Sequence, residues 1–340
     1  MNVAPPIERR SSTLARSCAI AVIALPVLSG CRSFDRRGAA SAPGQSTRAI
    51  WVTRWDYKTP TDVATVMKNC RAAGFNTVLF QVRGNGTAMY RSRIEPWAEE
   101  LGGRDPGFDP LKLACREAHR QGLKLQAWVN VVPGWRGKGP PDNRRQLYHA
   151  HPDWFWRDAC NRRQPFGWYN SLNPCYPEVR AYLVSVMREI VTRYDVDGLH
   201  LDYIRFPNDW HDSYLPAKAV PDYPRDRRTL ALFRRDTGQT PTSNPKAWDR
   251  WRTEQITRLV GDIRRMIRRT VPRMTLTAAV GADRQAALRR HFQDTRRWMA
   301  DGLLRAAPED GYAPTPTGLL DLDTAWRELL HAQLALAAPD

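Results

Sequence analysis

Tyr194-Asp-Val-Asp-Gly-Leu-His-Leu-Asp-Tyr-Ile-Arg-Phe-Pro207 is a turn that runs into a strand. Asp197 and Gly198 supply the turn, and Leu199 to Ile204 the strand. Side chains alternate faces along a strand, so Leu199 and Leu201 share one face, and His200 and Asp202 share the other. In a parallel barrel the outer face packs on helices and must be apolar. The leucines therefore point outward, and His200 and Asp202 point inward at the strand's C-terminal end. Polar side chains at that end are where a (β/α) barrel carries its site.

Working outward, strand and helix signals alternate from Ile50 on. Strand one is Ile50 to Trp55, followed by a helix from about Pro60 to Ala73 that stops at Gly74. Strand two is Thr77 to Val82, and its helix, Asp109 to Gln121, stops at Gly122. Strand three is Leu123 to Asn130, and the next helix spans about Pro177 to Tyr194. After strand four come a helix from about Lys246 to Arg269, strand five at Thr275 to Val280, a helix from about Ala286 to Ala300 and a weak strand, Leu303 to Ala306. The helix-to-strand turns are short. The strand-to-helix loops are long: Arg83 to Phe108, Val131 to Tyr176 and Arg205 to Ser243. That asymmetry belongs to a TIM-type (β/α) barrel, and no Gly-rich phosphate loop favours a doubly wound sheet instead. The signals amount to about six of the eight βα units of a full barrel, so the expected α/β barrel is incomplete at its C-terminus.

The 340 residues are 42 % hydrophobic and 26 % charged, a globular composition. The net charge of +17 comes mostly from arginines scattered along the chain. There is no basic stripe interleaved with stacking aromatics, which argues against a nucleic-acid partner and leaves a weak attraction to anionic envelope polymers. Arg9, Arg10 and Arg16 precede a short apolar run, Ser17 to Leu28, and then Leu28-Ser29-Gly30-Cys31. The run is too short to span a membrane. It resembles a bacterial lipoprotein signal in which Cys31 receives the lipid. The expected organisation is a signal peptide at 1–31, a flexible tether at 32–47, a barrel domain at 48–312 and a tail at 313–340. The chain would then face the periplasm, membrane-anchored through its N-terminal lipid.

Four other cysteines fall in the body of the chain. Cys70 and Cys115 sit in helical patterns and suit a core. Cys160 and Cys175 flank an irregular loop, where a disulfide is open to either answer. No cysteine pair has zinc-ligand spacing with a histidine, and nothing implies a metal or an organic cofactor.

The alternation argument places a constellation at the mouth. In strand two Gln81 and Arg83 share a face, in strand three Trp128 and Asn130, and in strand four His200 and Asp202. In strand one Arg54 or Trp55 occupies the mouth, and parity does not decide which. An acid ending an interior strand is costly unless paired or functional, which makes Asp202 the catalytic candidate. The bland alternative is a structural ion pair with Arg83 or Arg205. His200 tunes Asp202, binds substrate, or is a satisfied core histidine. The loop from Val131 to Tyr176 carries Trp135, Tyr148, Trp154, Phe155, Trp156, Phe166, Trp168 and Tyr169. Aromatic faces suit the C–H faces of sugars, and two or three of these are expected to meet ligand while the rest form the loop's own core.

Several runs together resemble one family. They are Arg48-Ala-Ile-Trp-Val-Thr-Arg54, Phe80-Gln-Val-Arg-Gly-Asn-Gly86 with Tyr90, Glu95-Pro-Trp97, Ala127-Trp-Val-Asn130, His151-Pro-Asp-Trp154, Leu172-Asn-Pro174, Pro177-Glu-Val-Arg180, the Tyr194 to Pro207 run, and Phe292-Gln-Asp294 with Trp298. In this order they are similar to the glycosyl-hydrolase-like 10 family, also called domain of unknown function 187. The resemblance spans Arg48 to Gly302. It implies a TIM-type barrel and glycan hydrolysis in the bacterial envelope, since the family includes hydrolases of peptidoglycan glycan strands. It supports Asp202 as catalytic and Gln81, Arg83, Asn85, Trp128, Asn130 and His200 as lining the site. Arg54 and Arg205 are further candidates for binding substrate.

The chain departs from the family pattern in two places. Thr87 stands where many relatives have Asp. Ala307-Pro-Glu-Asp-Gly-Tyr312 stands where a Pro-Met-x-Tyr-like run is expected, and the last two βα units are missing from the pattern. Glycoside hydrolysis normally uses two carboxyl groups. With Asp202 as nucleophile or base, the candidates for the acid are Glu95 first, then Asp56 and Asp283. Arg83, Asn130 and His200 would hold sugar hydroxyls. The rival expectation is a non-catalytic glycan-binding envelope lipoprotein with a degenerate barrel.

Overall fold

The computed structural model describes residues 47–206 and 223–304. Cys31 with its signal, the tether up to residue 46, the tail, and residues 305 and 306 of the weak strand lie outside the described residues. The chain opens with β1 (Ala49–Val52) and α1 (Pro60–Ala72). α1 starts at a reciprocal cap: the Thr59 side chain accepts from the Asp62 amide, and the Asp62 carboxylate accepts from the Thr59 amide. Then follow β2 (Thr77–Arg83), α2 (Pro110–Arg120) capped by Asp109, and β3 (Lys124–Asn130). The long loop after β3 holds β4 (Pro133–Arg136), α3 (Leu147–Ala150) and β5 (Tyr169–Ser171). After it come α4 (Pro177–Arg193), β6 (Gly198–Asp202), α5 (Arg227–Thr237), α6 (Pro245–Thr270), β7 (Thr275–Ala278), α7 (Arg284–His291) and α8 (Thr295–Ala300).

The main sheet has five parallel strands in the order β1-β2-β3-β6-β7. Each β–α–β step moves one strand along the wall, the wind of a (β/α) barrel. Among the described residues the wall is open, with β1 and β7 at its edges. The TIM-type (β/α) architecture expected from the alternating pattern is what the described residues form, as a wall that does not close among them.

Register turns the strands into layers. Val52, Phe80, Ala127 and Leu199 stand side by side, and all are buried. Val129 and Leu201 continue that outer face under α4 and α6, which pack on each other and carry Leu183, Val186, Ile190, Leu259 and Ile263 into the core. On the inner face Gln81, Trp128, His200 and Thr277 form one layer. Asn130 and Asp202 form the next, at the C-terminal ends. Gly198 is required by this packing, since a Cβ there would lie 2.8 Å from the Gln126 Cγ on the neighbouring strand.

Several expectations change. Strand one ends at Val52, because the Asp56 carboxylate accepts from the amide and hydroxyl of Thr53 and closes a turn. The loop after β3 is not irregular throughout: β4 and β5 pair antiparallel within it. The helix expected from Ala286 to Ala300 is two. It breaks at Phe292, whose φ is +58°, so that the buried Gln293 side chain can donate to the carbonyls of Ile204 and Ala279 and accept from the Gly281 amide. That one amide ties the chain after β6 to the chain after β7. Leu303 and Leu304 lie in a bend rather than a strand. Cys70, Cys115, Cys160 and Cys175 are free thiols, Cys160 exposed and Cys175 buried, so the last two are not bridged.

Candidate active site

Asp202 ends β6 and is partly exposed. Its Oδ1 accepts from the Tyr203 amide at 2.6 Å and lies 3.6 Å from the Arg205 Nη1. Tyr203 takes a φ of +47°, a left-handed conformation that costs energy in a bulky residue. The kink brings the Tyr203 ring against Tyr169, 4.9 Å between centres, and sets the Arg205 guanidinium 4.2 Å from its ring centre.

Beside Asp202 in register stands Asn130, 1 % exposed. Its Nδ2 donates to the Tyr169 hydroxyl at 3.4 Å. Among the described residues its Oδ1 has no partner, nor does the indole N–H of Trp128 below it. A buried polar atom without a protein partner needs solvent or a ligand to satisfy it; the described residues hold other such atoms, and these two lie on the inner face of the wall near Asp202. The Tyr169 hydroxyl also accepts from both Nη atoms of Arg54 at 3.3 Å. Arg54 is buried, and its Nε donates to Glu100 at 2.5 Å. A continuous polar chain thus runs Glu100, Arg54, Tyr169, Asn130, with Asp202 beside it. Gly84 makes room for it: a Cβ there would fall 2.3 Å from the Arg54 Nη1.

Gln81 serves this chain from below. Its Oε1 accepts from the Arg54 amide at 3.0 Å, and its carbonyl accepts from the Tyr57 hydroxyl at 2.6 Å. Asn85 braces the loop after β2. Its carbonyl accepts from Gln146 Nε2, and its side chain accepts from the Thr87 hydroxyl. Thr87, the departure from the family pattern, is therefore a partner of Asn85.

Arg83 is not at the mouth. A bulge in β2 pairs Gln81 with Trp128 but Arg83 with Val129, leaving Val82 as an extra residue. One inserted residue reverses the parity of everything after it. Arg83 therefore points outward and is fully buried. Its Nε donates to both oxygens of Glu95 at 2.9 Å, and its Nη1 donates to the carbonyls of Asn130, Val131 and Pro133. Glu95 is equally buried and accepts from the Tyr182 hydroxyl at 3.0 Å. Burial and mutual pairing set Arg83 and Glu95 away from the mouth at which they were expected. Glu95 has no solvent-facing oxygen with which to protonate a leaving group, and Arg83 clamps the end of β3 from behind.

The other two acid candidates are also engaged in local structure. Asp283 caps α7, accepting from the amides of Gln285 and Ala286, which hold its carboxyl below the usual range. Asp56 closes the turn after β1. Glu100 reaches the site from a short helical turn in the loop after β2, where strand parity says nothing.

His200 is a satisfied histidine of the inner face. Its Nε2 accepts from the Trp51 indole N–H at 3.1 Å, and its Nδ1 lies 2.8 Å from the Thr277 hydroxyl. Thr277 in turn donates to Gln126 at 2.7 Å. This order assigns a neutral imidazole with its proton on Nδ1. Burial lowers its pKa from the ordinary 6.5 to about 4. Between those values the unfolded chain binds a proton that the folded chain refuses. Stability from this group is whole above pH 6.5 and is lost as pH falls toward 4, by about 3 kcal/mol. Urea unfolding across that range should show the slope, and His200→Gln should flatten it. An unchanged slope in the variant would mean that His200 is not the group responsible.

Of the aromatic loop, Trp135, Phe155, Trp156 and Tyr169 are buried, while Tyr148, Trp154 and Trp168 are half-buried. The most exposed aromatic side chain near the mouth is Trp55, 52 % exposed, with the Arg54 guanidinium 4.1 Å from its ring centre. Among the described residues no cluster of three or more His, Cys, Asp or Glu side chains is placed to hold a metal ion.

Comparison with known proteins places this geometry. A profile of the family described as glycosyl hydrolase-like 10 matches residues 46–307. Glycosyl hydrolase DigH of Escherichia coli (strain K12) is 27 % identical over 352 residues, covering 87 % of this chain and 75 % of that protein. Glycosyl hydrolase YngK of Bacillus subtilis (strain 168) is 25 % identical over 313 residues, covering 83 % of this chain and 55 % of YngK, about half its length. Among solved structures, the PgaB (BpsB) glycoside hydrolase domain from Bordetella bronchiseptica superposes with a TM-score of 0.51 at 13 % identity, covering 73 % of this chain and 70 % of that one. That last likeness is one of fold.

Proposed function

Since the chain belongs to the glycosyl hydrolase-like 10 family, we propose that it is a glycoside hydrolase that cuts an envelope glycan, the glycan strands of peptidoglycan, by carboxylate acid/base chemistry with Asp202 as nucleophile or base. The observation that carries the reading is the pair Asp202 and Asn130, side by side at the C-terminal ends of β6 and β3, with the Asn130 Oδ1 and the nearby Trp128 indole N–H both buried without a partner among the described residues.

The roles follow from the contacts. The Tyr203 amide and Arg205 present positive ends to Asp202 and fix its carboxylate. Asn130 Oδ1 and the Trp128 indole N–H are the groups for sugar hydroxyls. Glu100 is Arg54's counter-ion, so it orients Arg54 and the Tyr169 hydroxyl rather than giving up a proton. We place the chain in the cell envelope, anchored through a lipid on Cys31 and facing the periplasm.

The second reading, a glycan-binding protein without turnover, is favoured by the wall's being open at β7 among the described residues. Incubating the purified full-length chain with peptidoglycan glycan strands and measuring reducing ends separates the two. Release establishes the hydrolase. Strands that bind a folded protein without release turn the assignment to the binder.

A further inference from the structure

Arg136, the last residue of β4, is set among aromatic rings. Its guanidinium carbon lies 5.0 Å from the ring centre of Trp168, 5.5 Å from Tyr169 and 5.8 Å from Trp55. The side chain is half-buried, yet among the described residues no carboxylate pairs with it and none of its N–H groups donates to an acceptor. The neighbouring arginines of the site are neutralised: Arg54 by Glu100 and Arg205 by Asp202. Arg136 therefore adds an uncompensated positive charge at the rim.

Aromatic rings engage the face of a guanidinium and strip water from it. They leave its edge, a planar fork of N–H donors that matches a carboxylate. A guanidinium held this way is preorganised for an anion. It is also in the right place. Tyr169 touches Arg136 on one side, and on the other its hydroxyl accepts from Asn130, the register neighbour of Asp202. Trp55, half exposed and backed by Arg54, adds a flat apolar surface of the kind that takes the C–H face of a sugar.

We propose that Arg136 and Trp55 form a subsite for a sugar ring that carries a carboxylate, and that Arg136 makes the protein selective for an anionic glycan. The proposal rests on the glycan reading above and deepens it. The shared chemistry has two sources: a lactyl ether carboxylate on a peptide-free peptidoglycan strand, or the ring carboxylate of a uronic acid.

The test is binding by calorimetry to the full-length chain carrying Asp202→Asn, so that probes survive the titration. The probes are peptide-free peptidoglycan oligomers, the same oligomers with their carboxyls converted to methylamides, and oligogalacturonides. Conversion to the methylamide is expected to weaken binding by about tenfold, the usual worth of a charge-assisted hydrogen bond. Arg136→Gln should erase that difference while leaving methylamide binding unchanged, which also reports that the site is still folded. Arg136→Lys should keep part of it, because it keeps the charge but not the planar fork. Trp55→Ala should weaken both forms alike, since stacking ignores the charge. Whichever anionic probe shows the Arg136-dependent preference identifies the carboxylate's source. Equal affinity for carboxylate and methylamide, or a preference that persists in Arg136→Gln, overturns the proposal and leaves the hydrolase reading standing. A folded protein that binds none of the probes overturns both.

Discussion

Asp202→Asn is expected to lower the release of reducing ends from glycan strands by on the order of 10²–10⁴-fold, the range a positioned acid/base or nucleophilic carboxylate contributes. Strand affinity and fold should survive. Asn has the same shape, and its Oδ1 still accepts from the Tyr203 amide that holds Asp202 now. What it lacks is the negative charge and the ability to form a bond to, or take a proton for, the anomeric centre. The Arg205 partner is 3.6 Å away and partly exposed, so losing this one contact should cost no more than about 1 kcal/mol. Trp128, Asn130, Tyr169 and Arg136 stay in place, so the loss should appear in kcat with KM nearly constant. A variant that turns over at the rate of the unmodified chain would remove Asp202 from the chemistry. Equal and negligible release by both folded proteins, with binding intact, is the result a non-catalytic binder gives.

How much of this was legible in the sequence depends on where the backbone is regular. Leu199 and Leu201 against His200 and Asp202, and Val129 against Trp128 and Asn130, alternate without interruption, and the register places each where alternation puts it. Arg83 fails the same argument because of the extra residue, Val82, and nothing in Phe80-Gln-Val-Arg83 marks a bulge. Arg54 and Trp55 lie beyond the parity argument for another reason. The strand stops at Val52, so neither belongs to a strand at all, and a turn delivers Arg54 to Tyr169. His200 could not be resolved from its own strand, because its two partners, Trp51 and Thr277, come from β1 and β7. One is an indole that alternation files as apolar. Glu100 and Arg136 enter from loops whose pairing is set by packing rather than by any local period. Sequence periodicity therefore located the catalytic candidate and most of its layer, while the charged groups that surround it came from turns, a bulge and a hairpin.

The Arg83–Glu95 pair gives the largest expected loss of stability, and it separates the two readings of Glu95. Glu95→Gln should destabilise the fold by roughly 3–5 kcal/mol, the cost of leaving a buried charge without its partner. Both side chains are fully buried, and a guanidinium does not shed its proton to escape. Gln can still accept one hydrogen bond from the Arg83 Nε. It can also keep the Tyr182 hydroxyl, whose pKa burial and the adjacent carboxylate push well above the usual range, so that it stays a donor. Neither contact neutralises the charge. The damage reaches the site through Arg83, which also donates to the carbonyls of Asn130, Val131 and Pro133 and so fixes where β3 ends and β4 begins. Urea unfolding followed by tryptophan fluorescence measures the first effect, and the midpoint of thermal unfolding should fall by roughly 10 °C. Turnover per folded molecule should fall far less than in Asp202→Asn. If Glu95 were the acid of the reaction, the order would be reversed, with turnover lost and stability kept. Replacing both residues, Arg83→Met with Glu95→Leu, should recover part of the stability lost by Glu95→Gln, because an apolar pair has no charge to compensate. The recovery should be incomplete, since the β3 carbonyls and the Tyr182 hydroxyl are then buried without their present partners.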